Sequence, residues 1–175
     1  MINNLRFVGL SLLVLLGFPG SARSTSEEIL EAINRTCVFS AEMALGAIRL
    51  GDSRRLVESR LGSPNSRTDP GGTSVLHYDG LKIRLHASRA QSILATSPRW
   101  TTPSGIRAGV SVTQASEILG FDLDSLEPPH SKSPRGYRIH QCIEAREQMD
   151  AEHYLRLGLS PDRSIVEVEV FWTAP

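Results

Sequence analysis

Apolar and polar positions alternate most regularly between Val75 and His86 and again at the C-terminal end of the chain. In the first stretch Leu76, Tyr78, Leu81, Ile83 and Leu85 share one face, and His77, Lys82, Arg84 and His86 share the other. Asp79-Gly80 sits between the two runs. An Asp-Gly pair flanked by alternating strands predicts a two-residue hairpin with a type I′ turn. That turn pairs Tyr78 with Leu81 and Leu76 with Ile83. In the last strand Val166, Val168, Val170 and Trp172 fall on one face, with Glu167, Glu169 and Phe171 on the other. Leu155, Leu157 and Leu159 alternate in the strand before it, which leaves Arg156 on the polar side. Tyr137, Ile139 and Ile143 alternate before that, and Gln91 to Thr96 adds a short strand. Ser160 to Ser164 reads as a hairpin loop.

A helical period interrupts this pattern twice, each time behind the same motif. Ile48-Arg49-Leu50-Gly51-Asp52-Ser53 is followed by Leu61-Gly62, and Ile106-Arg107-Ala108-Gly109-Val110-Ser111 by Leu119-Gly120, with every matching position 58 residues later. A fixed offset over two separated clusters marks an internal repeat. Ser53 and Ser111 suit helix N-caps, and Ser111 with Gln114 has capping-box spacing. Leu56, Val57 and Leu61 form an apolar stripe in the first copy, as do Val112, Ala115 and Leu119 in the second. Gly62 and Gly120 end the helices.

Before the first copy, Ser24 to Thr36 carries capping-box spacing and an Ile29, Leu30, Ile33 stripe, which predicts a helix. Residues 37–47 fit either strand or helix. Ser63 to Ser74 and Asp122 to Arg135 are rich in Pro, Gly, Ser and Asp and read as loops. The order helix then strands, twice, predicts an α+β fold of two tandem repeats. Each repeat would pack a short helix pair or helix-loop on one face of a curved antiparallel sheet. The divisions are a signal peptide at 1–22, an N-terminal helix and lead-in at 23–47, repeat one at 48–105 and repeat two at 106–175. The two repeats would share one domain.

The signal peptide rests on Arg6 followed by the apolar run Phe7 to Phe18, the breakers Pro19-Gly20 and small residues at Gly20-Ser21-Ala22. The run is short for a membrane span, so cleavage near Arg23 is preferred over a retained anchor. Export places the chain in the periplasm or outside the cell and gives its two cysteines one intramolecular pairing, Cys37 with Cys142. The 19 basic and 19 acidic residues balance. Nucleic acid is therefore not the expected partner, because phosphate binding draws on a basic surplus.

The segment Gly105 to Ser111 with Leu119-Gly120, together with the Tyr78-Asp79-Gly80-Leu81 hairpin, resembles the β-lactamase-inhibitor-protein-like superfamily. It is similar to repeats of the secreted inhibitor and of small outer-membrane barrel-assembly lipoproteins. The likeness covers roughly residues 46–172. It implies a helix-turn-helix on a curved sheet in each repeat, and binding of other proteins through the open sheet face and its hairpin tips. No cysteine follows the apolar run as a lipid-bearing residue would, and the inhibitor's contact residues are not matched here beyond Asp79 at a hairpin tip.

The candidate chemistry is sparse. His77, His86, His130, His140 and His153 show no metal-ligand spacing. No Gly-x-Ser-x-Gly nucleophile elbow or phosphate loop occurs. Glu144, Glu147, Asp150 and Glu152 surround Arg146 as a solvated acidic cluster. No cofactor is expected. The reading is a non-enzymatic, exported protein-binding or envelope-structural module whose partner is another exported or envelope protein. Its candidate contact residues are His77, Asp79, Lys82, Arg84, His86, Arg156, Glu167, Glu169 and Phe171. The alternatives are a small hydrolase or metal-dependent enzyme, which needs a convergent pocket, and a small-ligand carrier, which needs a closed apolar cavity.

Overall fold

The computed structural model describes residues 36–126, 130–133, 135–142 and 152–173. The signal peptide, nearly all of the expected first helix, Ile143, Glu144, Arg146, Glu147 and Asp150 lie outside these residues. Strands β1 (Ala44–Leu45) and β2 (Ile48–Arg49) form a small antiparallel pair. Helix α1 (Arg54–Leu61) follows, then β3 (Ser66–Thr68), β4 (Ser74–Tyr78), β5 (Leu81–His86) and β6 (Arg89–Ala95). Helix α2 (Val112–Leu119) leads to β7 (Ser131–Ser133), β8 (Gly136–His140), β9 (Glu152–Leu159) and β10 (Ile165–Thr173). Strands β3 to β10 form one eight-stranded sheet in the order β3-β4-β5-β6-β10-β9-β8-β7, with every pairing antiparallel.

This architecture corrects the expectation of two helix-packed α+β repeats. The described residues are mostly antiparallel sheet, and among them no helix pair covers either half. The two α-helices among the described residues span eight residues each; α1 buries Val57, and α2 buries Val112 and Ala115. Two turns of helix present too few apolar side chains to close the sheet. The short strand pair β1–β2, a 3₁₀ turn and irregular chain supply the rest: Leu45, Ile48, Leu123 and Ile106 are fully buried with Leu76, Ile83, Ile93, Leu155, Val168 and Val170 in one apolar cluster. Residues 37–47, open between strand and helix, contain a 3₁₀ turn at Ser40–Glu42 and then β1.

The two Gly-x-Ser segments act as local fixtures. Ser53 Oγ accepts from the Leu56 N–H at 3.3 Å. Ser111 and Gln114 complete a reciprocal capping box. The Gly51 N–H donates to the Ala90 carbonyl at 2.8 Å, and the Gly109 N–H donates to the Ile165 carbonyl at 2.7 Å. The first helical N–H groups, of Arg54 and Val112, donate to the carbonyls of Ser88 and Arg163. Both acceptor residues have positive φ, 62° and 63°. Each helix start thus satisfies an orphan amide on a left-handed residue in a hairpin loop.

Three further expectations change. The Tyr78–Leu81 and Leu76–Ile83 register holds. Gly80 has φ of 64°, but Asp79 is absent from the positive-φ residues, so the turn is not type I′. Asp79 instead turns its carbonyl to the Trp100 indole N–H at 2.8 Å. Ala87-Ser88, between β5 and β6, has two left-handed residues instead, and no glycine signals it. A register shift between Ile165 and Glu167 turns Val166 outward, so Val166 is 46% exposed and Ile165 occupies the buried place. Finally, the two loops hold structure: β3 lies in one, and the other contains β7 and a 3₁₀ turn (Leu123–Ser125) that buries Leu123.

Candidate partner-binding face

Burial alternates along β5, with Leu81, Ile83 and Leu85 buried and Lys82, Arg84 and His86 exposed. The same parity in β8, β9 and β10 turns Tyr137, Ile139, Leu155, Leu157, Val168 and Val170 into the core. Their neighbours lie on the opposite face, where Arg138 and Arg156 are exposed, His140 and Phe171 half-buried and Tyr154 buried. Antiparallel register then aligns those neighbours in rows across the strands. One row runs Arg84, Ser92, Phe171, Tyr154, His140. The next runs His77, Lys82, Leu94, Glu169, Arg156, Arg138. Glu167, Gly158 and Gly136 form a shorter third row.

The first row is an aromatic lane. Phe171 stacks on Tyr154 with centroids 5.1 Å apart and an interplanar angle of 21°. His140 meets Tyr154 edge-on at 4.6 Å. The Arg138 guanidinium lies 5.0 Å over the Tyr154 ring, a cation–π geometry. Tyr154 is only 4% exposed, and its hydroxyl donates to Glu152. Burial, then the Glu152 hydrogen bond, raises its pKa, so the phenol stays protonated as a donor. In the second row Glu169 accepts from Arg156 at 2.8 Å and from Ser92 Oγ at 2.5 Å, and Glu167 lies 3.3 Å from Arg156.

His130 extends the lane toward the disulfide. Its ring is 5.4 Å from that of His140, and it is 6% exposed. Its Nδ1 accepts from the His140 backbone N–H at 3.3 Å, which leaves the proton of the neutral ring on Nε2, directed to Thr36 Oγ1 at 2.9 Å. Burial, and secondarily His140, pulls its pKa below the ordinary histidine value. Cys37 and Cys142 are bonded, with Cα atoms 4.9 Å apart, and close a span of 105 residues.

No family model and no curated protein matches the sequence. Among solved structures, an extracellular protein containing an SCP domain from Bacillus anthracis strain Ames is similar over 72% of this chain and 49% of that one, with 10% identity and a TM-score of 0.48. This chain therefore spans about half the length of that protein.

Of the residues singled out in the sequence, Arg156, Glu167, Glu169 and Phe171 come together on the open face. Lys82 and Arg84 continue their rows two strands away. His77 stands at the far end of the second row, 3.3 Å from Thr68 Oγ1. His86 faces Trp172 edge-on at 6.0 Å, and Asp79 lies at the hairpin tip. These last two do not join the rows. Arg138 and Tyr154 were not among the residues singled out and His140 was weighed only as a metal ligand, although the alternation of β8 and β9 puts all three opposite the core leucines and isoleucines. A separate polar group joins Asp124, Tyr137 and Arg163. Tyr137 donates to Asp124 at 2.6 Å, and Arg163 bonds both at 2.6 and 3.0 Å. Burial, then Asp124, pushes the Tyr137 pKa up to about 12, so this phenol is a fixed donor tying the 3₁₀ turn to β8.

Proposed function

We propose that this chain is an exported protein-binding module that engages another exported or envelope protein through the open face of its sheet. The observation that carries the reading is the aromatic lane of Phe171, Tyr154 and His140, flanked by arginines, on the face opposite the buried core. Aromatic and arginine side chains supply most of the binding energy at protein interfaces, within a rim of polar groups. The lane is also preordered: Tyr154 is pinned by a hydrogen bond, a stack and a cation, so little side-chain entropy remains to be lost on binding. The Cys37–Cys142 disulfide supports export to an oxidising compartment, periplasmic or extracellular. No helix among the described residues is long and apolar enough to cross a membrane. The sequence resemblance to the β-lactamase-inhibitor-protein-like superfamily points to the same use of an open sheet.

Partner capture from envelope and culture-medium extracts tests the reading. Replacing Arg84 and Phe171 with Ala is expected to weaken capture by about tenfold or more, the scale of a lost interface anchor. The control pair Arg55→Ala and Glu117→Ala, on the helix side, is expected to leave capture intact. Loss in the control with full capture by the sheet variant would place the contact on the other face. Circular dichroism confirms folding in both.

A further inference from the structure

The open face breaks a rule of sheet design at one place. Arg138 on β8 and Arg156 on β9 are directly opposite each other. Like charges in opposing positions destabilise a sheet. Beside them the third row has no side chains over two strands, because Gly136 pairs with Gly158. A Cβ on Gly136 would lie 2.0 Å from the Leu157 carbonyl oxygen, and one on Gly158 would lie 2.2 Å from Glu167 Cγ. The space over Gly158 is therefore taken by the Glu167 side chain, and a trough of about 470 Å³ beside it is walled by Arg135, Arg138, Arg156 and Glu167.

The charges in and around it are unequally matched. Both nearby carboxylates, Glu167 and Glu169, are engaged by Arg156. Arg138 makes its contact with the π-face of Tyr154 rather than with an acid. Among the described residues Arg135 and Arg138 form no ion pair. Among the described residues the trough therefore presents two guanidinium groups not paired with a carboxylate, next to a third held by Glu167 and Glu169.

Resting on the reading of this face as a protein-binding surface, we propose that the trough receives a carboxylate side chain, Asp or Glu, from the partner protein. A planar guanidinium matches a carboxylate in a two-bond geometry that an ammonium does not offer. One carboxylate, seated in the trough on the Arg135 and Arg138 side, offsets the charge of Arg138 that Glu167 and Glu169 leave unmatched, and leaves the neighbouring partner surface over Phe171. A nucleic acid backbone fits less well. Glu167 and Glu169 oppose a run of phosphates, and the chain has no basic surplus, with 19 residues of each sign.

The test is an NMR titration of the isotopically labelled protein with acetyl-Gly-Phe-Glu-Glu-Gly-amide and its Gln-Gln counterpart. The Glu peptide is expected to shift the Gly136 and Gly158 amides saturably, with weakening as salt rises, and the Gln peptide to leave them unmoved. Arg135→Gln and Arg138→Gln should each weaken the Glu peptide by roughly tenfold, the effect of losing a charged hydrogen bond. Arg55→Gln, on α1, should change nothing. Equal shifts with both peptides, or tighter binding of a single-stranded oligonucleotide at the same amides, would overturn the assignment. Partner capture separates this result from the broader reading. Capture lost in Phe171→Ala, with no trough response to the Glu peptide, leaves the binding face standing and removes the carboxylate. A specific trough response with capture unaffected by Phe171→Ala keeps the trough and removes the lane.

Discussion

Ala87 and Ser88 carry φ of 47° and 62°, a conformation that side chains with a Cβ resist. The Arg54 N–H bonded to the Ser88 carbonyl at 2.9 Å holds the turn against that cost. Ala87→Gly is accordingly expected to stabilise the protein by up to about 1 kcal/mol, read as a raised unfolding midpoint in denaturant; a lowered midpoint would contradict the strain. His130 supports a second prediction. Its folded pKa lies below the unfolded value of about 6.5, so the unfolded chain binds more protons at and below that pH. The stability is full above about pH 6.5 and is lost as pH falls through the folded value. Thermal melts from pH 7.5 to 5 are expected to show a falling midpoint, with a shallower fall in His130→Gln. His153, also depressed by burial, supplies part of the slope that remains. An unchanged slope in the variant would show that His130 titrates freely.

Elements with a strict period were legible in the sequence, and those without one were not. The β4–β5 register follows from alternation around Asp79-Gly80, because a slip of one residue would put His77 and Lys82 into the core. The Val166 bulge was not legible. Four apolar residues at even positions predict an unbroken strand, and only the loop after β9 decides where pairing resumes. Helices α1 and α2 were foreseen from their caps, but their share of the core was overestimated. The segments that replace them, around Leu45, Ile106 and Leu123, have no period to read. The lane was half visible: Phe171 stood out, whereas its meeting with Tyr154 and His140 depends on register across three strands distant in sequence. At this scale the disulfide is the strongest single fixture. It closes 105 residues, so selective reduction is expected to cost about 4–5 kcal/mol by the chain-entropy estimate. Chemical denaturation of the oxidised and reduced protein measures the difference, and a change under about 1 kcal/mol would contradict it.

Among the described residues, one face of the eight-stranded sheet is covered by short helices, a short strand pair and irregular chain, while the other carries rows of charged and aromatic side chains with Tyr154 buried among them. On the proposed reading, this second face meets the partner. Site-specific photo-crosslinking tests it most directly. Phe171→p-benzoylphenylalanine and Glu117→p-benzoylphenylalanine place the same probe on the open face and on α2. After irradiation in extract, a discrete crosslinked species is expected from position 171 and none from position 117. A crosslink from position 117 alone would contradict it.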